Sequence, residues 1–480
     1  MNESHCWVGL PRSNQRSSIE ALQPYLTPER GAVGYSTLVL LPNAAGQIED
    51  ILAEAQTTKS PLVISAGRTG LVEAQRPEGE TVLSLEKLNR ILAIDAAAHT
   101  ATVEAGVSVD ALNAALEPHG LIWPMEMGST SAATVGGCIA NGSAGANAVC
   151  YGTAAHLCES AEGFWADGSA AGPCRGPDWM TPAPQVLAID SAAPDPLLGL
   201  IGTQGVLGVI THATLRLHRI PAQREAALIP VADMPAAMRM LALARDVFGR
   251  DVEEFEFIAA AAMQLLRAFR GEAFRWPFAQ DPQAAFYLLL QIKSDDASED
   301  LAGNLYTFLS DTLALPDSHI GYAPLKVLKA IRHSITEASN HAMKQLGGGR
   351  LAFDTATPVS VFGDYLAALE AALQRDHPAV QFVAFGHAGV GGAHLHLLGT
   401  REQPVATQAA VLIEQVFDIT QQFGGTFSAE HGVGSKWGDA FAQRARPEVV
   451  TALLAAKRQR DPAHILNPRS FGLHQLMAQA

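Results

Sequence analysis

The alternation of apolar and polar positions changes character near residue 220. Before it, apolar runs of strand length alternate with segments whose apolar residues recur at helical spacing. Residues 36–41 (STLVLL) are a strand candidate ended by Pro42-Asn43, and residues 48–57 set Ile48, Ile51, Leu52 and Ala55 on one helical face. Residues 61–65 (PLVIS), 81–85 and 101–105 (ATVEA) read as further strands, and residues 109–119 as a short helix stopped by Gly120. This β-α-β opening belongs to the α/β class. Beyond Ile220-Pro221 the periods lengthen. Residues 235–248 and 254–270 predict amphipathic helices, 284–293 (AAFYLLLQIK) a buried strand, and 327–340 and 361–375 two more helices. Residues 381–386 (QFVAFG) lead as a strand into a His-rich turn, and 447–458 form a helix before the Asp461-Pro462 break.

One stretch fits neither period. Residues 132–152 hold five glycines among many Ala and Ser, too little side chain for an ordinary core strand or helix face. Such a backbone suits close approach to another group. A flexible linker is the alternative, but Val135, Cys138, Ile139 and Tyr151 interrupt it as anchors would.

Composition narrows the function. The 480 residues carry 33 Lys+Arg against 48 Asp+Glu, a formal charge of −15, which excludes the basic surface that nucleic acid or an anionic membrane requires. No apolar run approaches the ~20 residues of a spanning helix. Residues 1–18 show no apolar leader of the secretory kind, which predicts a cytoplasmic location. The five cysteines, Cys6, Cys138, Cys150, Cys158 and Cys174, form no CxxC pair. They argue against a zinc ribbon, an iron–sulfur cluster and a disulfide framework, and read as reduced thiols. Redox chemistry would therefore come from a bound organic cofactor or from elsewhere in the chain.

Two segments near the C-terminus concentrate reactive side chains. The first is His387-Ala-Gly-Val-Gly-Gly-Ala-His394-Leu-His396, and the second is Ser428-Ala-Glu430-His431-Gly-Val-Gly434. In an extended segment His394 and His396 point the same way, while His387 arrives across a glycine turn. Three imidazoles with a nearby Glu-His pair form a nitrogen/oxygen donor set of the zinc or manganese kind, although the spacing matches no short metal motif. A metal there would hold an alkoxide and a carboxylate while a free imidazole removes a hydroxyl proton. In the first half, Ala66-Gly-Arg-Thr-Gly70 follows a strand directly and could aim backbone N–H groups at a pyrophosphate. It is not GxGxxG, so no Rossmann site is indicated, and taken alone it reads first as an ordinary β-turn. Gly202-Thr-Gln-Gly205-Val-Leu-Gly208 is a similar loop.

Seven blocks in order carry a resemblance: PLVISAGRTGLVEAQ, VEAGV, PMEMGSTSAATVGGCIANGSAGANAVCYGT, IGTQGVLGVIT, FGHAGVGGAHLHL, SAEHGVGSKW and DPAHILNP. Together they resemble the FAD-linked D-2-hydroxyacid dehydrogenases, the D-lactate, glycolate and D-2-hydroxyglutarate group within the vanillyl-alcohol oxidase superfamily. The resemblance runs from about residue 35 to 470. It implies an α+β protein with a two-lobed FAD-binding domain (30–220), an α+β cap domain with an antiparallel sheet (221–440) and a C-terminal segment returning to the FAD domain (441–480). Carried over residue by residue, Gly67, Arg68, Thr69, Gly70 and Leu71 match the pyrophosphate loop. Pro124, Gly128, Ser129, Thr134, Gly136, Gly137, Asn141 and Ala146 match the second FAD-contacting stretch. Gly205 and Ile210 match the adenine-side block, and Asn467 the tail residue near the isoalloxazine. His387, His394 and Glu430 match metal ligands, His431 the proposed base, and Arg332 and Thr336 the cap residues that hold the substrate carboxylate. Where some relatives tether FAD through a loop His, this chain has Arg68, which implies non-covalent FAD.

The departures from that pattern are specific. The usual block reads G-H-x-G-D-G-N-x-H-x-N; here Val390 replaces the Asp, Gly392 the first Asn and His396 the last. His396 could close the metal site as a fourth ligand or face the substrate; strand alternation favours the substrate. The Lys that often precedes D-x-S-x-P is Ala352, which weakens recognition of a second, distal carboxylate, although Arg350 or Lys344 could substitute.

The resulting expectation is FAD-dependent oxidation of a D-2-hydroxy acid to the 2-oxo acid, with hydride to flavin N5, His431 as base and a zinc or manganese ion assisting. Electrons would pass to an electron-transfer flavoprotein, a cytochrome or a quinone, and a homodimer is compatible. The rivals are a metal-independent alcohol or aldose oxidase of the same superfamily and a non-catalytic flavin-binding subunit of a glycolate oxidase-type complex.

Overall fold

Strands Gln15–Arg16 (β1), Val39–Leu40 (β2), Leu62–Ser65 (β3) and Thr81–Ser84 (β4) form a first sheet in the order β1-β2-β4-β3. Its β2, β4 and β3 run parallel, so a crossover must join β2 to β3. Helix Ala45–Thr58 makes it, burying Ile48, Ile51, Leu52 and Ala55, the face that the spacing predicts. The computed structural model describes residues 7, 10–29, 31–177, 199–278 and 282–479, so Cys6 lies outside the described residues. Ile91–Asp95 (β5), Thr100–Glu104 (β6), Cys158–Trp165 (β8), Ala170–Arg175 (β9) and Gly208–Arg216 (β10) make an antiparallel sheet ordered β5-β6-β10-β8-β9. A ribbon of Leu121–Ile122 (β7) and His218–Arg219 (β11) sits beside it. These sheets share one apolar core with helices Val109–Leu116 and Val135–Asn141. Mixed sheets of this kind make the unit α+β.

The second half is built on one antiparallel sheet. Gln223–Val231 (β12), Val252–Ala259 (β13), Phe286–Ser294 (β14), Gly347–Ala356 (β15), Gln381–Gly386 (β16) and Gly392–Thr400 (β17) are ordered β12-β14-β13-β16-β17-β15. Phe255 and Phe257 enter the core on one face, with helices Met234–Phe248, Phe362–Asp376 and Ala409–Gln422. Ile258, Val383 and Phe385 enter the core on the other face, with helices Ala260–Arg270, Leu325–His333 and Ile335–Leu346. The tail then returns to the first sheet: Leu62 N donates to Ile465 O, and Asn467 N donates to Leu62 O.

Three expectations need correction. Residues 254–270 are not one helix, because the first six belong to β13; acids and phenylalanines alternate there with period 2, and the sheet takes both faces. Residues 327–340 divide at Ser334 into Leu325–His333 and Ile335–Leu346. Ser334 Oγ accepts from Arg270 Nη2 at 2.5 Å, which ties the junction to the neighbouring helix. Within 132–152 a helix does form, Val135–Asn141, and its small residues are what permit it: a Cβ on Gly136 would lie 2.4 Å from that of Ala105.

Candidate active site

A cleft of about 1630 Å³, counting its open mouth, runs between the first two sheets and the third. One wall is the loop after β3. Among the described residues, no hydrogen bond takes up the backbone N–H of Gly67, Arg68, Thr69, Gly70 or Leu71. Five consecutive free donors, with Arg68 at φ +60°, form a concavity for an anion such as a pyrophosphate. Arg68 itself is turned to Glu86 (2.6 Å) and lies over the Tyr25 ring. The facing wall includes Gly128, whose missing Cβ would meet open space, with Thr134, Gly136, Gly137, Asn141 and Ala146. Gly205, Ile210 and Asn467 close the floor. Asn467 accepts from Ile64 N (2.8 Å) and donates to Gln204 O (2.6 Å), which fastens the tail across the floor. These residues fit the flavin dinucleotide that the sequence implies. Of the expected cofactor residues, Pro124 and Ser129 are outside the cleft lining.

At the far end the third sheet delivers the reactive groups. In β17 His394 is registered against Asp354 of β15 and Phe385 of β16, so these side chains share a face. His387 enters from a tight turn in which its N–H donates to Gly392 O. Its Nε2 is 3.2 Å from His394 Nε2 and 3.2 Å from Glu430 Oε1, while Glu430 Oε2 is 3.8 Å from His394 Nε2. Donors around one zinc- or manganese-sized ion at about 2.0–2.2 Å lie about 3–3.6 Å apart, so this spacing fits. Glu430 Oε1 is buried with no hydrogen bond, which also suits a cation. Burial opposes charge on His387, but Glu256 and Glu430 outweigh it and push the imidazole up to about 10. Burial holds His394 well below the ordinary histidine value, helped by neighbouring His387, His431 and Arg332. Burial would raise Glu430, yet the His387 contact keeps its carboxyl below the usual range.

His431 stacks on His394, with centroids 5.5 Å apart at 14°. Its loop is gripped from two sides. Asp354 Oδ2 accepts from the backbone N–H of Glu430 and of His431, each at 2.8 Å, and is 3.4 Å from His431 Nδ1. Asn141 Nδ2 donates to Glu430 O (2.9 Å), and Gln204 Oε1 accepts from Gly434 N (2.8 Å). Arg332, in the last turn of its helix, lies over the Phe385 ring and pairs through Nε with Glu256 at 2.7 Å.

Two expected substrate residues are elsewhere. Thr336 is half-buried beyond the Ser334 junction and outside the described cleft lining. His396 is also outside that lining: it is 3% exposed, and its Nδ1 meets Ser339 Oγ at 2.7 Å. The expectation that it faces the substrate is therefore corrected, because helix Ile335–Leu346 packs over that stretch of β17 and captures the ring. Nor does it join either of the two clusters of possible metal donors, His387-His394-Glu430 and Asp354-His394-His431. Glu256 and Asp354 were missed as site residues. An acid repeating every second residue in an apolar strand, as Glu254 and Glu256 do, was the available signal for Glu256.

A glycine-walled cleft that opens onto imidazoles and a guanidinium fits a flavin-dependent oxidoreductase, and the family matches agree. The chain belongs to the FAD-linked oxidase family: the family described as FAD linked oxidases, C-terminal domain, matches residues 220–471. The FAD binding domain family matches residues 36–171. Among curated proteins it is 27% identical over 441 residues to a D-2-hydroxyglutarate dehydrogenase of Xanthomonas citri pv. viticola, covering 90% of this chain and 88% of that one. It is 27% identical to the mitochondrial D-2-hydroxyglutarate dehydrogenase of Bos taurus, covering 91% and 76%. The fold is shared with substrate-bound p-cresol methylhydroxylase, at TM-score 0.70 and 16% identity over 97% of this chain and 95% of that one. An alkyldihydroxyacetonephosphate synthase follows at TM-score 0.65 and 14% identity, covering 96% and 83%. Among the described residues no helix is long and apolar enough to cross a membrane.

Proposed function

We propose that this chain oxidises a D-2-hydroxy acid to the 2-oxo acid with non-covalent FAD. The observation that carries the reading is the convergence of Arg332, the His387-His394-Glu430 cluster and His431 at one end of the glycine-walled cleft. The printed names of the D-2-hydroxyglutarate relatives support the same chemistry. Bound FAD supplies the two-electron acceptor. Arg332 binds the substrate carboxylate: its Nε is committed to Glu256, which leaves the two terminal nitrogens as a fork for two carboxylate oxygens. His431 takes the hydroxyl proton, oriented by Asp354 and by its stacking on His394. His387, His394 and Glu430 would hold zinc or manganese, whose charge would favour the deprotonated hydroxyl.

Turnover needs a further electron acceptor, for which an electron-transfer flavoprotein, a cytochrome or a quinone fits. A cytoplasmic location is supported by four free cysteines, Cys138, Cys150, Cys158 and Cys174. Anaerobic mixing of the yellow protein with D- and L-2-hydroxy acids and primary alcohols tests the reading. Bleaching of flavin absorbance by D-2-hydroxy acids is expected. Bleaching by primary alcohols alone would replace it with the oxidase reading, and no bleaching at all with a non-catalytic subunit.

A further inference from the structure

Strand β13 buries three acids: Glu253, Glu254 and Glu256 are 2%, 1% and 1% exposed. Glu253 is held by Arg224, Tyr151 and Gln291, and Glu254 by Lys329, all away from the reactive cluster. Glu256 differs, because both its oxygens are taken by residues of the site. Oε1 meets His387 Nδ1 at 2.7 Å, and Oε2 meets Arg332 Nε at 2.7 Å. Among the described residues Phe385 also lies against both His394 and the guanidinium, but its contacts are ring contacts, whereas Glu256 pairs with both His387 and Arg332 through its carboxylate oxygens.

We infer that Glu256 is a positioning residue, which selects the nitrogen that His387 turns toward the metal and ties that choice to the arginine that grips the substrate. The inference rests on the function proposed above. An imidazole that donates from Nδ1 to a carboxylate keeps its Nε2 lone pair for a ligand. His387 Nε2 is the atom that faces His394 and Glu430, both at 3.2 Å. The same carboxylate fixes Arg332 at Nε, so a shift of the guanidinium on substrate binding is felt at His387. A carboxylate can accept on both sides, whereas an amide offers one oxygen and, opposite it, two donors. In Glu256→Gln the oxygen stays with the buried Arg332 cation and the NH₂ faces His387 Nδ1. That arrangement puts the imidazole proton on Nε2, where it blocks ligation.

The test uses full-length, FAD-loaded protein stripped of metal and titrated with zinc against a chromophoric chelator. Glu256→Gln is expected to lower zinc affinity about 10–100-fold, with FAD content and Tm of the metal-free protein near wild type. Unchanged zinc affinity would overturn the positioning role, as would a fall in Tm with no change in zinc binding. Coupling is read from Arg332→Met, which is expected to shift zinc affinity at least about twofold in the wild-type background and not beside Glu256→Gln. Equal shifts in both backgrounds would refute it. If Glu256→Gln does not hold FAD, Glu256→Asp keeps the charge but falls a methylene short of the two contacts. It is then expected to lose zinc with the fold intact, and wild-type affinity in it would overturn the inference. Failure of the wild type to bind zinc would instead remove the metal from the proposed function, and the inference with it.

Discussion

Asp354→Asn isolates the grip on the loop that carries Glu430 and His431. Asp354 is 4% exposed, and its Oδ2 alone accepts from two backbone N–H groups, those of Glu430 and His431, at 2.8 Å each. Asparagine can keep its oxygen there, so the bonds persist but lose their charge assistance, worth about half of each. With each charge-assisted bond at about 1.5–3 kcal/mol, half of each of the two bonds comes to about 1.5–3 kcal/mol in all. The amide nitrogen then replaces Oδ1, which is 3.8 Å from His394 Nδ1. If the whole loss falls on the orientation of His431 in the transition state, flavin reduction slows about 10–150-fold. The assay is anaerobic stopped-flow bleaching by a saturating D-2-hydroxy acid, with FAD content and Tm measured alongside. A rate within about threefold of wild type in a folded, yellow variant would refute the idea that Asp354 holds His431.

Four further outcomes are expected. Acid precipitation releases FAD into the supernatant, because Arg68 occupies the position of a tethering His and is engaged by Glu86; flavin in the pellet would contradict this. His431→Ala keeps the flavin spectrum and slows turnover roughly 10²–10⁴-fold, as loss of a base does, and near-normal kcat would remove it from the mechanism. His396→Asn retains the metal content of the wild type, since the ring is bonded to Ser339 and outside the donor cluster; complete metal loss in the variant would make it a ligand. Burial holds His156 down to about 4, below its ordinary 6.5, so the stability it contributes is present above pH 6.5 and is lost as pH falls toward 4. The slope is about 1.4 kcal/mol per pH unit in that window, and a Tm difference between wild type and His156→Gln that does not vary between pH 7 and pH 5 would exclude it.

Local pattern determined much of this protein. The crossover helix with Ile48, Ile51, Leu52 and Ala55 inward, the helix stopped at Gly120 and strand β16 before the His-rich turn are all set by period and turn residues, which act within a few positions. The glycine loop at 67–71 and the pairing of His387 with His394 across a turn were equally legible, because each lies within one short segment. Tertiary structure decided the rest. Whether residues 254–259 coil or extend depends on a sheet whose other strands are up to about 150 residues away in sequence, and there the sheet overrode a helical spacing. His396 alternates with His394 as the pattern requires, yet its bond partner is set by a helix that comes from residues 335–346. Glu256 and Asp354 became site residues only when strands distant in sequence aligned Glu256 beside His387 and Asp354 opposite His394. Short-range periodicity says which face a side chain takes; what stands on that face is fixed by packing between segments far apart in the chain.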